Sequence, residues 1–147
     1  MRTIWIYAAF VLGVPVIGGA IGLITLPGAW YAGLTKPWFT PPNWLFGPMW
    51  TTLYLLIGWV GARKWLHGGS VRLWWAQMAL NFLWSPVFFG MQQPMAALVV
   101  IMAMWLVILG FIGREWRGDR LSAALFIPYL AWVSLATALN AGIVVLN

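Results

Sequence analysis

Two carboxylates, Glu115 and Asp119, and a single histidine, His67, are the whole conventional acid–base repertoire of this 147-residue chain, which also lacks cysteine. The two acids stand four residues apart among Arg114, Arg117 and Arg120, and His67 precedes Gly68 and Gly69. A general acid–base pair, a catalytic triad and a carboxylate metal site need groups that are missing here or grouped elsewhere, and no glycine-rich phosphate loop is present. Without cysteine, thiolate nucleophiles, iron–sulfur clusters and disulfides are also excluded. His67 could in principle ligate haem iron, but its place among basic residues at the end of an apolar run reads as interfacial. No metal site is expected.

The remaining chemistry is aromatic. Thirteen tryptophans occur in the chain, and their first explanation is the preference of indole for membrane–water interfaces. Trp5, Trp30, Trp38, Trp44, Trp65, Trp74, Trp75 and Trp116 lie at the ends of apolar runs or between them and fit that explanation. Trp50, Trp59, Trp84, Trp105 and Trp132 lie deeper. There an aliphatic residue would pack as well, and each indole N–H needs a partner.

The elements that must position these rings follow from composition. Hydrophobic residues make up 63% of the chain and charged residues 7%, against roughly 25% charged in a soluble domain. Apolar runs at approximately 4–26, 44–65, 71–89, 95–113 and 121–146 are each near the length of a bilayer crossing. Hydrocarbon forces backbone groups to pair within a segment, and the runs lack the alternation of barrel strands. The expectation is therefore an all-α membrane protein, a five-transmembrane-helix bundle forming a single domain over residues 1–147. Arg2 before the first run and Gly18, Gly19 and Ala20 within it would suit a cleaved signal peptide. The run exceeds the usual apolar stretch of roughly 7 to 15 residues and is read as a span.

The formal charge of +6 resides between the apolar runs, which points to topology and lipid headgroups rather than nucleic acid. Arg2, Arg63, Lys64, Arg72, Arg114, Arg117 and Arg120 fall on the N-terminal side and Lys36 alone on the other. In an inner membrane this bias puts the N-terminus and the second and fourth connections in the cytoplasm. In an outer membrane the rule would lose its force. Gly18 with Gly22, and Gly58 with Ala62, form small-xxx-small pairs that either let helices approach or are simply tolerated. Pro15, Pro86 and Pro128 should bend their helices.

A rise of about 1.5 Å per residue puts Trp50 and Tyr54 roughly 9 and 15 Å below the outer end of the second helix, and Asn81 and Trp84 roughly 12 and 8 Å below that of the third. Trp132 falls near mid-membrane. Trp50 and Tyr54, then Asn81, Trp84, Ser85 and Phe88, then Trp132, Ala136 and Asn140 share helix faces. The set converges beneath the long connection Pro27–Pro42, the only one long enough for a lid. Two readings stand: a pocket for a large, flat, mostly apolar ligand, or ordinary packing with Asn81 and Asn140 as interhelical polar contacts.

Four motifs decide between them. The first connection reads Trp30-Tyr31-x-x-Leu34-x-Lys36-Pro37-Trp38-x-x-Pro41-Pro42, the second helix Pro48-x-Trp50-Thr51-x-Leu53-Tyr54, and the third Ala79-Leu80-Asn81-Phe82-Leu83-Trp84-Ser85-Pro86-Val87-Phe88-Phe89-Gly90. The fifth carries Pro128-Tyr129-Leu130-x-Trp132 and Leu139-Asn140. In this order, over nearly the whole chain, they resemble the tryptophan-rich sensory protein and translocator protein family (TspO/MBR, peripheral-type benzodiazepine receptor). The resemblance implies a five-helix bundle, commonly dimeric, that binds porphyrins and other hydrophobic ligands under the first connection, with roles in tetrapyrrole handling and stress or oxygen responses. Carried onto matching positions, the ligand site is Tyr31, Pro41, Trp50, Tyr54, Asn81, Trp84, Phe88, Trp132 and Ala136.

The reading is thus a membrane receptor or sensor with no obligatory cofactor, a porphyrin or haem-type ligand, membrane lipids and a second copy of itself as partners, and no nucleic acid. The alternatives are light-dependent porphyrin breakdown, with Trp50 and Trp132 as electron partners, or translocation of porphyrin or lipid. Animal relatives end the fifth helix with a cholesterol-recognition pattern. Leu139-Asn140-Ala141-Gly142 lacks its tyrosine and its basic residue, which argues against cholesterol and for a bacterial member.

Overall fold

The computed structural model describes residues 1–147 and is helical, with no β-strand. Helix α1 spans Arg2–Ile24, a single turn α2 spans Ala29–Ala32, and α3 spans Asn43–His67. Helix α4 covers Val71–Ser85 and runs into a π-helical turn at Pro86–Gly90, followed by α5 (Pro94–Gly118) and α6 (Arg120–Leu146). Four helices, α1, α3, α5 and α6, are long and apolar enough to cross a membrane.

The third run departs from the uniform helix expected over 71–89: it holds 15 residues of α-helix followed by five of π-helix. Pro86 is the cause, since it has no N–H to give and its ring displaces the carbonyl one turn earlier. The chain widens there, and the Met91 N–H donates to the Pro86 carbonyl at 2.8 Å, five residues back. The proline at this point re-aims the aromatic residues Phe88 and Phe89.

Helix α1 packs along α3 and α6 along α5, with α4 against α5. Gly58 explains the first contact: a Cβ there would strike the Phe10 carbonyl on α1. Ile57, Val60, Ile101, Met104, Ile108, Phe111, Phe126 and Val133 form a fully buried centre, while Leu12, Val16, Met102 and Leu106 face outward. Lipid tails are as apolar as these side chains, so close packing and internal hydrogen bonds hold such helices together.

The strongest tie joins the ends of α3, α4, α5 and α6. Lys64 Nζ lies 2.8 Å from Glu115 Oε2 and 2.9 Å from Asp119 Oδ2, and Arg63 Nε and Nη2 donate to the two Asp119 oxygens, each at 2.9 Å. Glu115 Oε1 accepts the Ser70 backbone N–H at 2.6 Å, and Asp119 Oδ2 accepts the Ser122 hydroxyl at 2.6 Å. The Lys64 and Glu115 side chains are only 3% and 6% exposed. Gly69, at φ +106°, passes so close that a side chain there would collide with the Glu115 carboxylate. Two sequence readings change accordingly. Arg63 and Lys64 are paired inside the protein rather than with headgroups, and the supposed connection 114–120 is helix except for Asp119.

Burial works against ionisation of Asp119, yet hydrogen bonds from Arg63, Ser122 and Lys64 hold its carboxyl well below the usual carboxylate range. A folded pKa below the unfolded one gives stability that is present above the unfolded value, about 3.9, and is lost as pH falls below it. The stability difference between the unaltered chain and Asp119→Asn should therefore hold from neutral pH to about pH 4 and shrink below it. Lys64→Met should cost about 3–5 kcal/mol by stranding buried carboxylates, and Lys64→Met with Glu115→Leu should recover part of that loss. Thermal unfolding in detergent micelles, repeated across pH, measures both.

Candidate functional site

A cavity of about 340 Å³ lies beneath the first connection, bounded by α1, α3, α4, the π turn and α6. Its α1 side runs from Pro15 to Leu26 and includes Gly18, Gly19 and Gly22, whose missing side chains leave part of the space open. Gly18 abuts the Tyr54 ring, which a Cβ there would displace, whereas Gly22 opens onto nothing within 4 Å.

Aromatic rings form the facing walls. Trp50 and Tyr54, one turn apart on α3, have ring centroids 5.5 Å apart. Trp84 and Phe88 are 5.3 Å apart and inclined by 30°. Tyr31 from α2 closes the cavity edge-on to Phe88 and Phe89, at 6.3 and 5.3 Å. Ala136 and Asn140 of α6 complete the lining. No charged residue lines the cavity.

Its polar groups are neutral and chained together. Tyr54 Oη donates to Asn81 Oδ1 at 3.3 Å, Asn81 Nδ2 to Tyr129 Oη at 2.7 Å, and Tyr129 Oη to Gln77 Oε1 at 2.7 Å. Gln77 Nε2 then donates to the Trp74 carbonyl at 2.8 Å, and Trp74 Nε1 to the Ile57 carbonyl at 3.0 Å. A second, shorter chain runs from Trp84 Nε1 to Asn140 Oδ1 at 3.0 Å and from Asn140 Nδ2 to the Pro94 carbonyl at 2.8 Å. The Thr25 and Ser85 hydroxyls are 2.6 Å apart across the cavity edge.

The first connection is fastened to the end of α6. The Thr35 N–H donates to Asn147 Oδ1 at 3.0 Å, and Asn147 Nδ2 donates to the Thr35 carbonyl at 2.8 Å. Pro37 is buried against Gly142, where any Cβ would collide with its ring. The Lys36 ammonium lies 4.5 Å above the Tyr31 ring.

Of the site residues expected from sequence, Tyr31, Trp50, Tyr54, Asn81, Trp84, Phe88 and Ala136 line the cavity. Pro41 and Trp132 do not. Pro41 is half-buried in the connection. Trp132 is buried edge-on to Trp50 and Phe46, at 6.4 and 5.7 Å, and its Nε1 is the one buried side-chain polar atom without a partner.

Sequence reasoning missed Gln77, Tyr129 and the glycines of α1. It also assigned Trp74 to the interface, whereas that ring is 2% exposed. A signal was present: Trp74, Gln77, Asn81, Trp84 and Phe88 recur every three or four residues, a polar–aromatic stripe facing the core.

An all-helical bundle of long apolar helices, with an uncharged aromatic cavity under a fastened loop, defines an integral membrane protein. The sequence profile of the TspO/MBR family matches residues 8–146. The chain belongs to that family. It is 44% identical to the tryptophan-rich protein TspO of Archaeoglobus fulgidus, over 95% of each chain. It is 41% identical to the tryptophan-rich sensory protein of Cereibacter sphaeroides, over 81% of this chain and 77% of the relative, and 34% identical to the translocator protein of Homo sapiens, over 92% and 87%.

Asn81 carries the polar chain between Tyr54 and Tyr129. Asn81→Ala should lower stability by about 1–3 kcal/mol, because the buried Tyr129 hydroxyl loses its donor, whereas Tyr54→Phe should cost less than Asn81→Ala. Thermal unfolding of the two variants side by side tests the order.

Proposed function

We propose that the chain is a membrane sensor that binds a porphyrin or a similarly flat tetrapyrrole in this cavity. The carrying observation is a space of about 340 Å³ walled by Tyr31, Trp50, Tyr54, Trp84 and Phe88 with no charge inside. Such a space favours a wide, flat, apolar surface, held by ring contacts and oriented by Asn81, Asn140 and Tyr54. Its volume lies in the range of about 300–1,000 Å³ found for small-molecule sites. The names of the relatives, sensory protein and translocator protein, support a receptor role.

In this reading α4 and the π turn together make the fifth crossing, since 15 and five residues reach about the thickness of the hydrocarbon core. The arginine-rich end faces the cytoplasm and the lid faces outward. A second copy completes the assembly, and the ligand enters by release of the Thr35–Asn147 pair.

Protoporphyrin added to the purified protein should quench tryptophan fluorescence saturably. Trp50→Ala with Trp84→Ala, both on the cavity wall, should weaken affinity by about tenfold, on the scale of two lost aromatic contacts of roughly 0.5–1.5 kcal/mol each. Unchanged affinity in that double variant would sink the site assignment.

The edge-on contact of Trp50 with Trp132 favours one further reading, light-dependent breakdown of the bound porphyrin with these two indoles as electron partners. The porphyrin band should then bleach faster under illumination with folded protein than with a denatured, tryptophan-matched control. Equal rates would remove that reading.

A further inference from the structure

The aromatic cavity is closed on most of its sides. Every residue that α6 contributes to its lining, Ala136, Leu139, Asn140 and Ile143, is buried, and so are Asn81 on α4 and Phe88 on the π turn. Tyr31 covers it at 4% exposure, beneath a connection held by the Thr35–Asn147 pair and by the seat of Pro37 on Gly142. The exposed lining residues all belong to α1, to the chain just beyond it and to the first turns of α3, among them Gly19, Leu23, Gly47 and Thr51. Leu23 is 72% exposed although it lines the cavity.

Helices α1 and α3 part company at this place. Toward the clasped end they touch, where a Cβ on Gly58 would strike the Phe10 carbonyl, and they still meet where Gly18 abuts the Tyr54 ring. One turn further out Gly22 stands level with Trp50, and a Cβ on Gly19, Gly22 or Gly47 would meet nothing within 4 Å. A slot therefore leads from the outside of the bundle, between the two helices, to the aromatic rings. Both helices are long and apolar enough to cross a membrane, and Gly19 lies roughly 8 Å inside the end of α1 at a rise of about 1.5 Å per residue. At that depth the slot opens onto hydrocarbon rather than water. An empty slot would forfeit dispersion contacts along both of its walls, and lipid is the material at hand to supply them.

We infer that this slot is a lateral mouth of the cavity: an acyl chain of the surrounding lipid occupies it at rest, and the ligand replaces that chain from the leaflet on the lid's side. The inference rests on the reading that the cavity is the ligand site, and it narrows the ligand class to molecules that dissolve in the bilayer. Gly19, Gly22 and Gly47 keep the mouth clear of side chains. Release of the Thr35–Asn147 pair widens it, because the connection so freed begins at Leu26 and Pro27, which also line the cavity.

Two measurements on the full chain in phosphatidylcholine vesicles test the mouth. In the first, phosphatidylcholine carrying a diazirine at the end of one acyl chain is photolysed with the ligand-free protein, and the labelled residues are read by mass spectrometry. Label should reach Ala136 or Asn140, which are buried on the far wall of the cavity, and added protoporphyrin should suppress it there. The second uses the absence of native cysteine. Gly22→Cys with Gly47→Cys is loaded with protoporphyrin, and the two thiols are then joined by a reducible bridging reagent. The bridge should trap the porphyrin, slowing its release into porphyrin-free vesicles by at least about tenfold, and dithiothreitol should restore the rate. A bridge that merely crowded the cavity would expel the porphyrin instead. Label confined to outward residues such as Val16 and Leu106, or release that is unchanged or hastened by the bridge, overturns the proposal. Label at Ala136 or Asn140 without any quenching by protoporphyrin would remove the porphyrin and leave the mouth standing. Saturable quenching with no such label and no trapping would remove the mouth and leave the porphyrin.

Discussion

A polar group buried in this bundle has no water to fall back on, and the architecture follows from how all but one of them, Trp132 Nε1, are satisfied. Asn81 is the junction. Its carbonyl oxygen takes the Tyr54 hydroxyl from α3 and its amide reaches Tyr129 on α6, so one side chain on α4 ties three helices together. Gln77 and Trp74 extend the tie down α4 to the carbonyl of Ile57. Every link is neutral and nearly every donor has one acceptor, which fixes the rotation of each helix about its axis. Apolar contacts alone would tolerate several rotations, because core and lipid are equally greasy.

That fixed rotation positions the aromatic rings. Asn81 and Trp84 lie on one stripe of α4, so the junction that orients Asn81 also turns Trp84 toward Asn140 and the cavity. Pro86 then converts the helix to a π turn, and the extra residue swings Phe88 and Phe89 beneath Tyr31. Pocket and scaffold are the same set of contacts, and the glycines of α1 leave the pocket unfilled.

Much of this was legible in the sequence, and the gaps have physical causes. The four long apolar helices, and the gathering of Trp50, Tyr54, Asn81 and Trp84 about one cavity, follow from apolar length and helix spacing. The fate of the small-residue pairs does not. Gly58 admits the α1 backbone while Gly22 borders empty space, and only the partner helix distinguishes two glycines of the same local pattern. Trp74 was misplaced, and Trp132 packs behind the cavity wall, for the same kind of reason. Position along a helix gives depth, but whether an indole faces lipid, a cavity or a neighbouring ring depends on helix rotation. Lys64 was read as a topology signal because a lysine at a span end is normally exposed. Its partners lie 51 and 55 positions away, and no local pattern announces them.

The charge distribution separates two kinds of work within one small bundle. All carboxylates and seven of the eight basic side chains gather where α3, α4, α5 and α6 are clasped, while the aromatic cavity contains no charge. An ionisable group in the cavity would have bound water or demanded a counter-ion, and either would compete with any apolar contact to the rings. Placing the ion pairs at the opposite end removes that competition and still closes the bundle. Because the clasp consumes both acids, the remaining arginines keep their full positive field for the membrane surface. The scarcity of acids, which first excluded acid–base catalysis, therefore also leaves this end of the protein strongly basic.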